Sequence, residues 1–494
     1  MTDTLTAPEV ATFAPGRLYI GGQWREASDG GRSDVLDPAT GRVITDVARG
    51  TTADVDAAVA AARAAFDSGV WSTLSGRERG RILQRAYALM RERTEELAQA
   101  ESADVGKPIM LARVVDVNNA AELYEYYASL GHHLDGVVRE TTGNTHAYVK
   151  SEPLGVVAAI TPFNFPLILS SSKIAPALLA GNTIVHKPAS ITPLSALLMA
   201  EILSEAGVPD GVFNVVTGPG SVLGDHLVSH PDVDKVAFTG STEVGAHAAS
   251  LAAQALKPFT AELGGNAANI LFADADLDAA MHTVISAFVF NTGQFCMAGP
   301  RLLVERPLYD TVLGILADAV PHVPLGDPSD PDTVIGPLAS ADQLEKVASM
   351  VDRARSAGAR VVTGGERIDR GGGFFYAPTV LAGLPSDAEA VAEEIFGPVL
   401  TVQPFDTEEE AIAMANGTRY GLASGIQTAD LARAHRVAAR LRAGITWVNG
   451  WALLDPSVPF GGVKASGWGR EGGPEAMASY QQSHSIVFDL GAQK

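Results

Sequence analysis

Apolar and polar positions follow two styles along this chain. From Thr52 to Gly131 the apolar residues, many of them alanine and valine, recur at helical spacing. Thr52 can cap a helix from about Ala53 to Asp67, which Ser68-Gly69 ends. Two more helices are predicted over about Gly76 to Ala103 and Val115 to Gly131, separated by Gly106-Lys-Pro108. The start, Met1 to Pro15, is polar and aperiodic and is expected to fray.

From Gly155 the pattern becomes an alternation of short apolar runs and helices. Gly155 to Ile160 reads as a strand buried on both faces. A helix over Leu167 to Ala180, a strand over Thr183 to His186 and a helix over Pro193 to Ala206 follow. Strands Val212 to Val216 and Val233 to Thr239 come next, and Asn269 to Phe272 is expected to complete the series. Such alternation predicts a doubly wound parallel sheet. Asp276 to Lys464 repeats the style, so a second α/β domain is expected. Thr145 to Glu152 and Ser483 to Leu490 fit neither and read as strands that pair across subunits to cover exposed edges. The expected division is residues 1–131 and 153–264 for the first domain, 265–465 for the second, and 132–152 with 466–494 for an oligomerisation element.

Composition narrows the function. The 494 residues are 46% hydrophobic and 19% charged, as in a globular protein with substantial cores. A net charge of −21 with no basic run disfavours nucleic-acid partners. Met1 to Gly16 lacks the features of a signal peptide, and no apolar stretch reaches the ~18 residues a membrane helix needs. The reading is a cytoplasmic protein with no membrane partner.

Cys296 is the only cysteine, so neither an intrachain disulfide nor a cysteine-based zinc site is available. A lone thiol serves as a small buried group, a redox sensor or a nucleophile. The Gly293-Gln-Phe-Cys296 turn and the upstream Glu262-Leu-Gly-Gly265 step favour the nucleophile. His226 and His230 have the spacing of metal ligands, but no third ligand is apparent and no metal is expected. In Phe238-Thr-Gly240-Ser241-Thr-Glu243-Val-Gly245 a strand ends, glycine turns the chain and a helix begins. Its free N–H groups can hold a phosphate, although an ordinary capped turn would look the same. Gly218-Pro-Gly220-Ser-Val-Leu-Gly224 is a near match to a nucleotide fingerprint, with one residue too many.

Those segments occur in order with Thr161-Pro-Phe163-Asn164-Phe165-Pro166, His186-Lys187-Pro188, Glu394-Ile-Phe396-Gly-Pro398 and Pro459-Phe-Gly-Gly-Val-Lys464-Ala-Ser-Gly. Together they closely resemble the aldehyde dehydrogenase superfamily, from about Leu18 to Asp489. The resemblance implies a Rossmann-like cofactor domain, an α/β catalytic domain and a small strand-based oligomerisation element in a homodimer or homotetramer. It implies that Cys296 attacks an aldehyde, that the Asn164 amide and the Cys296 backbone N–H stabilise the oxyanion, and that Glu262 activates water against the thioester. NAD and/or NADP would meet Thr161, Pro162, Phe163, Lys187, Ser190, Gly220, Gly240, Ser241, Gly245 and Leu263. Lys187 would bind the adenosine ribose, Glu394 the nicotinamide ribose, and Phe396 would pack near the nicotinamide with Gln343 and Lys346 at the same end. Taken singly, Asn164 reads as a turn residue, Glu262 as a surface carboxylate and Lys187 as a solvated lysine.

Two positions depart from the family pattern. NAD-preferring relatives commonly carry a glutamate where this chain has Ser190, which opens the way to NADP. Semialdehyde dehydrogenases carry an arginine, and betaine-aldehyde relatives an aromatic, at the position of Ser172. The remaining expected pocket residues, Phe165, Leu169, Phe290, Phe295, Met297, Leu454 and Phe460, suit an aromatic or medium aliphatic aldehyde. The alternatives are a CoA-acylating relative, which generally lacks the Glu262 base, and a non-catalytic nucleotide-binding protein.

Overall fold

The computed structural model describes residues 13–491. Most of the segment expected to fray, residues 1–12, and the last three residues of the expected oligomerisation element therefore lie outside the described residues.

Helix Thr52–Asp67 forms because Thr51, one residue earlier than expected, caps it. Asp54 Oδ2 accepts the Thr51 N–H at 2.8 Å while the Thr51 hydroxyl accepts the Asp54 N–H at 3.4 Å. The long helix expected after Gly76 is two helices, Gly76–Glu92 and Thr94–Val105. The Thr94 hydroxyl donates to the Arg91 carbonyl at 2.8 Å, a local bond that competes with the helical ladder at the break. Two antiparallel hairpins, Leu18–Ile20 with Gln23–Arg25 and Arg32–Leu36 with Val43–Ala48, precede these helices.

The first large sheet runs Gln23–Arg25, Leu18–Ile20, Phe213–Val215, Thr183–Lys187, Val156–Ile160, Lys235–Thr239, Phe259–Glu262, Gly467–Trp468. The strands from Phe213–Val215 to Phe259–Glu262 are parallel, and the central ones are buried along their whole length. Helices Pro166–Ala180 and Leu194–Ala206 end at Gly181 and Gly207, whose φ of 99° and 98° turn the chain back toward the sheet. Sequential strands leave Val156–Ile160 first to one side and then to the other, so a crevice opens at the carboxyl ends of Val156–Ile160 and Lys235–Thr239.

Ala268–Leu271 does not complete this sheet, as the sequence suggested. It pairs with Arg301–Glu305 and Ala423–Gln427 inside a second, seven-stranded sheet. The last parallel strand of the first sheet is Phe259–Glu262 instead. Buried parallel strands look alike in sequence, so nothing local marks which sheet receives them. The chain passes between the sheets through Leu263-Gly264-Gly265, directly behind Cys296. A Cβ on Gly265 would lie 2.1 Å from the Cys296 carbonyl oxygen.

Gln481–Asp489 pairs along its whole length with Thr145–Pro153 of the same chain, and Val137–Arg139 adds a third strand. The two strands expected to meet across subunits thus meet each other.

Candidate active site

Cys296 is aimed by a strained turn. Asn291, Thr292 and Gly293 are left-handed in succession, with φ of 48°, 56° and 69°. Two non-glycine residues held this way cost on the order of 1–3 kcal/mol each. The surroundings hold them: the Asn291 amide donates to the carbonyls of Asn164 at 3.0 Å and Gln294 at 3.2 Å. Thr292 donates to the Gly336 carbonyl at 3.1 Å. At Gly293 a Cβ would sit 2.1 Å from the Gly397 oxygen, so only glycine fits. Asn164 is buried in the loop after Val156–Ile160 and donates one amide N–H to the Gln294 carbonyl at 2.9 Å. An amide carries two N–H donors, so one remains. Cys296 itself is half-buried. Burial, then Glu394 and Glu262, push its thiol well above the ordinary range.

Glu262 ends its strand buried, with Oε2 lacking a protein partner. Burial, and next the charge of Glu471, raise its carboxyl well above the usual value, while Lys173 opposes them. Lys173 and Glu471 form a buried ion pair. Lys173 also donates to the Thr239 hydroxyl at 2.5 Å, and Ser172 donates to Glu471 Oε2 at 2.6 Å. The sequence reading missed this pair. A lysine inside a buried helix of apolar residues and serines is the available signal, because such a charge requires a buried partner.

The expected cofactor positions of the first sheet lie on the loops and helix starts that follow its parallel strands. Lys187 is buried and donates to the Pro188 carbonyl at 2.8 Å. Its ammonium lies 3.5 Å from where a Gly220 Cβ would stand, at the start of helix Gly220–Ser229. Burial lowers the Lys187 pKa to about 8. Ser190 is half-buried on the turn beyond. The Ser241 hydroxyl caps helix Thr242–Gln254, with Gly240 before it. Gly245 is packed so tightly that a Cβ would meet Leu263 at 2.2 Å. The Thr161 hydroxyl pairs with His186 Nε2 at 2.9 Å, and burial drops His186 to about 3, keeping it neutral.

Across the crevice, Glu394 Oε1 accepts the Gly265 N–H at 2.9 Å, and burial lifts its carboxyl to about 7. Phe396, another left-handed non-glycine residue at φ 60°, packs edge-on against Phe163 with ring centroids 5.8 Å apart. The Gln343 amide donates to its carbonyl at 2.6 Å. Lys346, exposed on the same helix, acts on Glu394 only through its charge. Pro162 follows Thr161 on the same loop.

Cys296 also lines a cavity of about 140 Å³. It is lined by Phe165, Leu169, Ser172, Phe290, Phe295, Met297, Leu454 and Phe460. Val115 and Asn119, which the sequence reading did not select, join the wall. They flank the end of a π-helical turn, Ala112–Val117, a form that recurs near functional sites. Outside this region, Asp56 sits between His226 and His230, 2.6 Å from the first and 3.5 Å from the second. Among the described residues no group of His, Cys, Asp and Glu is arranged to hold a metal.

Solved structures share this architecture. Betaine aldehyde dehydrogenase from Staphylococcus aureus, in complex with NAD+, is 38% identical with a TM-score of 0.95, over 97% of this chain and 96% of that chain. The P. syringae AldA indole-3-acetaldehyde dehydrogenase, as a mutant in complex with NAD+ and IAA, is 41% identical with a TM-score of 0.94, over 96% of this chain and 97% of that chain. The aldehyde dehydrogenase KauB from Pseudomonas aeruginosa is 40% identical with a TM-score of 0.94, over the same shares. The sequence also matches the Aldehyde dehydrogenase family over residues 24–486. With sequence match, fold and thiol-bearing junction in agreement, the chain belongs to the aldehyde dehydrogenase family.

Proposed function

We propose that this protein oxidises an apolar aldehyde, aromatic or medium aliphatic, to its carboxylate with NAD+ or NADP+ and without CoA. The observation that carries the reading is the position of Cys296, which meets an apolar cavity on one side and lies within the electrostatic reach of Glu262 and Glu394. The crevice residues fit a dinucleotide. Lys187 has N–H donors left over for a ribose, Glu394 has a second carboxylate oxygen beside Gly264, and helix Thr242–Gln254 offers a positive N-terminus. Bound NAD(P)+ supplies the hydride acceptor and a positive charge near the thiol.

Each residue then has a role. Cys296 Sγ attacks the aldehyde carbon once its proton is lost, which the protein alone disfavours. The spare Asn164 N–H and the Cys296 backbone N–H receive the oxyanion; one such donor is typically worth about a hundred- to a thousandfold in rate. Removal of hydride leaves an acyl thioester on Cys296. Glu262 accepts a proton from the water that hydrolyses it, with Lys173 and Glu471 behind it. Residues 1–131 with 153–264 form the cofactor domain in this reading, and 265–465 the catalytic domain. Residues 132–152 with 466–494 carry assembly into a homodimer or homotetramer, in the cytoplasm.

The deciding experiment is aldehyde-dependent formation of reduced nicotinamide without CoA, over aromatic, aliphatic, carboxylated and amino aldehydes and with both cofactors. Apolar aldehydes should give the highest kcat/KM, and Cys296→Ser should bind cofactor yet lose nearly all oxidation. A requirement for CoA, or activity in that variant, would overturn the proposal.

A further inference from the structure

The aldehyde cavity is apolar along most of its wall, with Phe165, Phe290, Phe295 and Phe460 as its broad surfaces. Four polar side chains reach it: Ser172, Glu471, Asn119 and Asp455. Among the described residues, no lysine, arginine or histidine lines it. The Ser172 hydroxyl has one proton and two protein acceptors, Glu471 Oε2 at 2.6 Å and the Leu169 carbonyl at 3.1 Å. The shorter, charge-assisted bond is the stronger, and neither acceptor belongs to a substrate. The proton is therefore committed to the protein whichever bond forms. What Ser172 has left for the cavity is its oxygen lone pairs.

We propose that Ser172 selects aromatic aldehydes bearing a neutral hydrogen-bond donor, a ring hydroxyl or ring N–H, by offering them its oxygen as an acceptor. This rests on the apolar-aldehyde reading and narrows it. A carboxylated aldehyde brings a second acceptor to an oxygen that cannot donate, and finds no cation in the cavity lining to pair with. A cationic aldehyde gains little from Glu471, whose charge Lys173 and Ser172 already compensate. Asp455 is exposed at the mouth and screened by water. A neutral donor satisfies the Ser172 oxygen, an acceptor set in a wall whose broad surfaces are phenyl rings.

The test compares meta- and para-hydroxybenzaldehyde with the corresponding tolualdehydes, in which a methyl group replaces the hydroxyl at nearly the same volume. Electronic effects on the carbonyl cancel when the kcat/KM ratio of each pair is compared between enzymes. For at least one ring position, Ser172→Ala should lower the hydroxyl-to-methyl ratio by roughly three- to tenfold, the worth of one neutral hydrogen bond. Ser172→Thr, which keeps the hydroxyl, should restore it. Turnover of both aldehydes with the ratio unchanged in Ser172→Ala at both positions would overturn the inference while leaving the apolar-aldehyde reading standing. Failure to oxidise any of them would remove that reading, and the inference with it. Should Ser172→Ala not fold, competitive inhibition of the unaltered enzyme decides. Phenol should then bind at least as tightly as toluene. Clearly weaker phenol binding would overturn the inference, because an apolar wall without an acceptor penalises a buried hydroxyl.

Discussion

Lys107 holds its ammonium 4.0 Å from the ring centroid of Phe165, which also lines the apolar cavity beside Cys296. The lysine is fully buried, paired with Asp116 and 3.5 Å from Glu101 Oε2. Glu101 in turn accepts the Leu167 N–H at 3.1 Å. The loop that carries Asn164 and Phe165 is thus braced from below by a charge cluster that touches no substrate. Lys107→Met should leave two carboxylates without their cation and cost about 3–5 kcal/mol. Thermal unfolding should show a large drop in midpoint, and adding Asp116→Leu should recover part of it. An unchanged midpoint for Lys107→Met would mean that the cluster does not brace the loop.

Cofactor affinity should depend on pH in two directions. The Glu394 carboxyl, lifted to about 7, gains a proton as pH falls below that value and then binds a ribose hydroxyl less well. Lys187, lowered to about 8, loses its proton as pH rises above that value and loses a donor. Tightest NAD+ binding to the free enzyme is expected between these limits, measured by fluorescence titration or calorimetry. Glu394→Gln should flatten the acid limb. Lys187→Arg should move the alkaline limb out of range, because a guanidinium does not titrate there. Limbs that persist unchanged in both variants would assign them to other groups.

Ser190 should permit NADP. A glutamate there would repel a 2′-phosphate at close range, so Ser190→Glu should cut kcat/KM for NADP by roughly tenfold and leave NAD less affected. Equal loss with both cofactors would show that Ser190 does not face the ribose.

The strand Gln481–Asp489 presents Val487 and Phe488 with 62% and 47% of their surface exposed. Paired on one side only, it is an edge that a second subunit can cover. Light scattering of a chain truncated after Gln482 should show monomers or aggregates in place of a closed oligomer. Unchanged mass and activity would put the subunit contact elsewhere.

Much of this organisation could be read from residue pattern, because its signals are local. Helix ends at Gly181 and Gly207 and the buried runs around Ile160 and Thr183 announce themselves within a few residues. The segments holding Cys296, Asn164 and Glu262 were visible as ordered motifs, and the fold brings them to one junction. What the sequence concealed depends on contacts between distant segments. Glu471 is invisible as a partner for Lys173 until the Gly-rich turn near the end of the chain folds back over the first sheet. The assignment of Ala268–Leu271 failed for a related reason: its neighbours, Arg301–Glu305 and Ala423–Gln427, come later in the chain. The commitment of the Ser172 proton to Glu471 is likewise a property of packing.

In the proposed reaction Glu262 serves hydrolysis of an acyl group on Cys296, a step separable from hydride transfer. Rapid mixing of Glu262→Gln with NAD+ and an aromatic aldehyde separates the two steps. The expected trace is a burst of reduced nicotinamide approaching one per active site, then turnover slower by roughly 10²–10⁴. Intact-mass measurement should show the acyl adduct, and hydroxylamine should partly restore turnover by attacking the thioester. Turnover at the parent rate without an adduct would show that Glu262 is not the deacylating base.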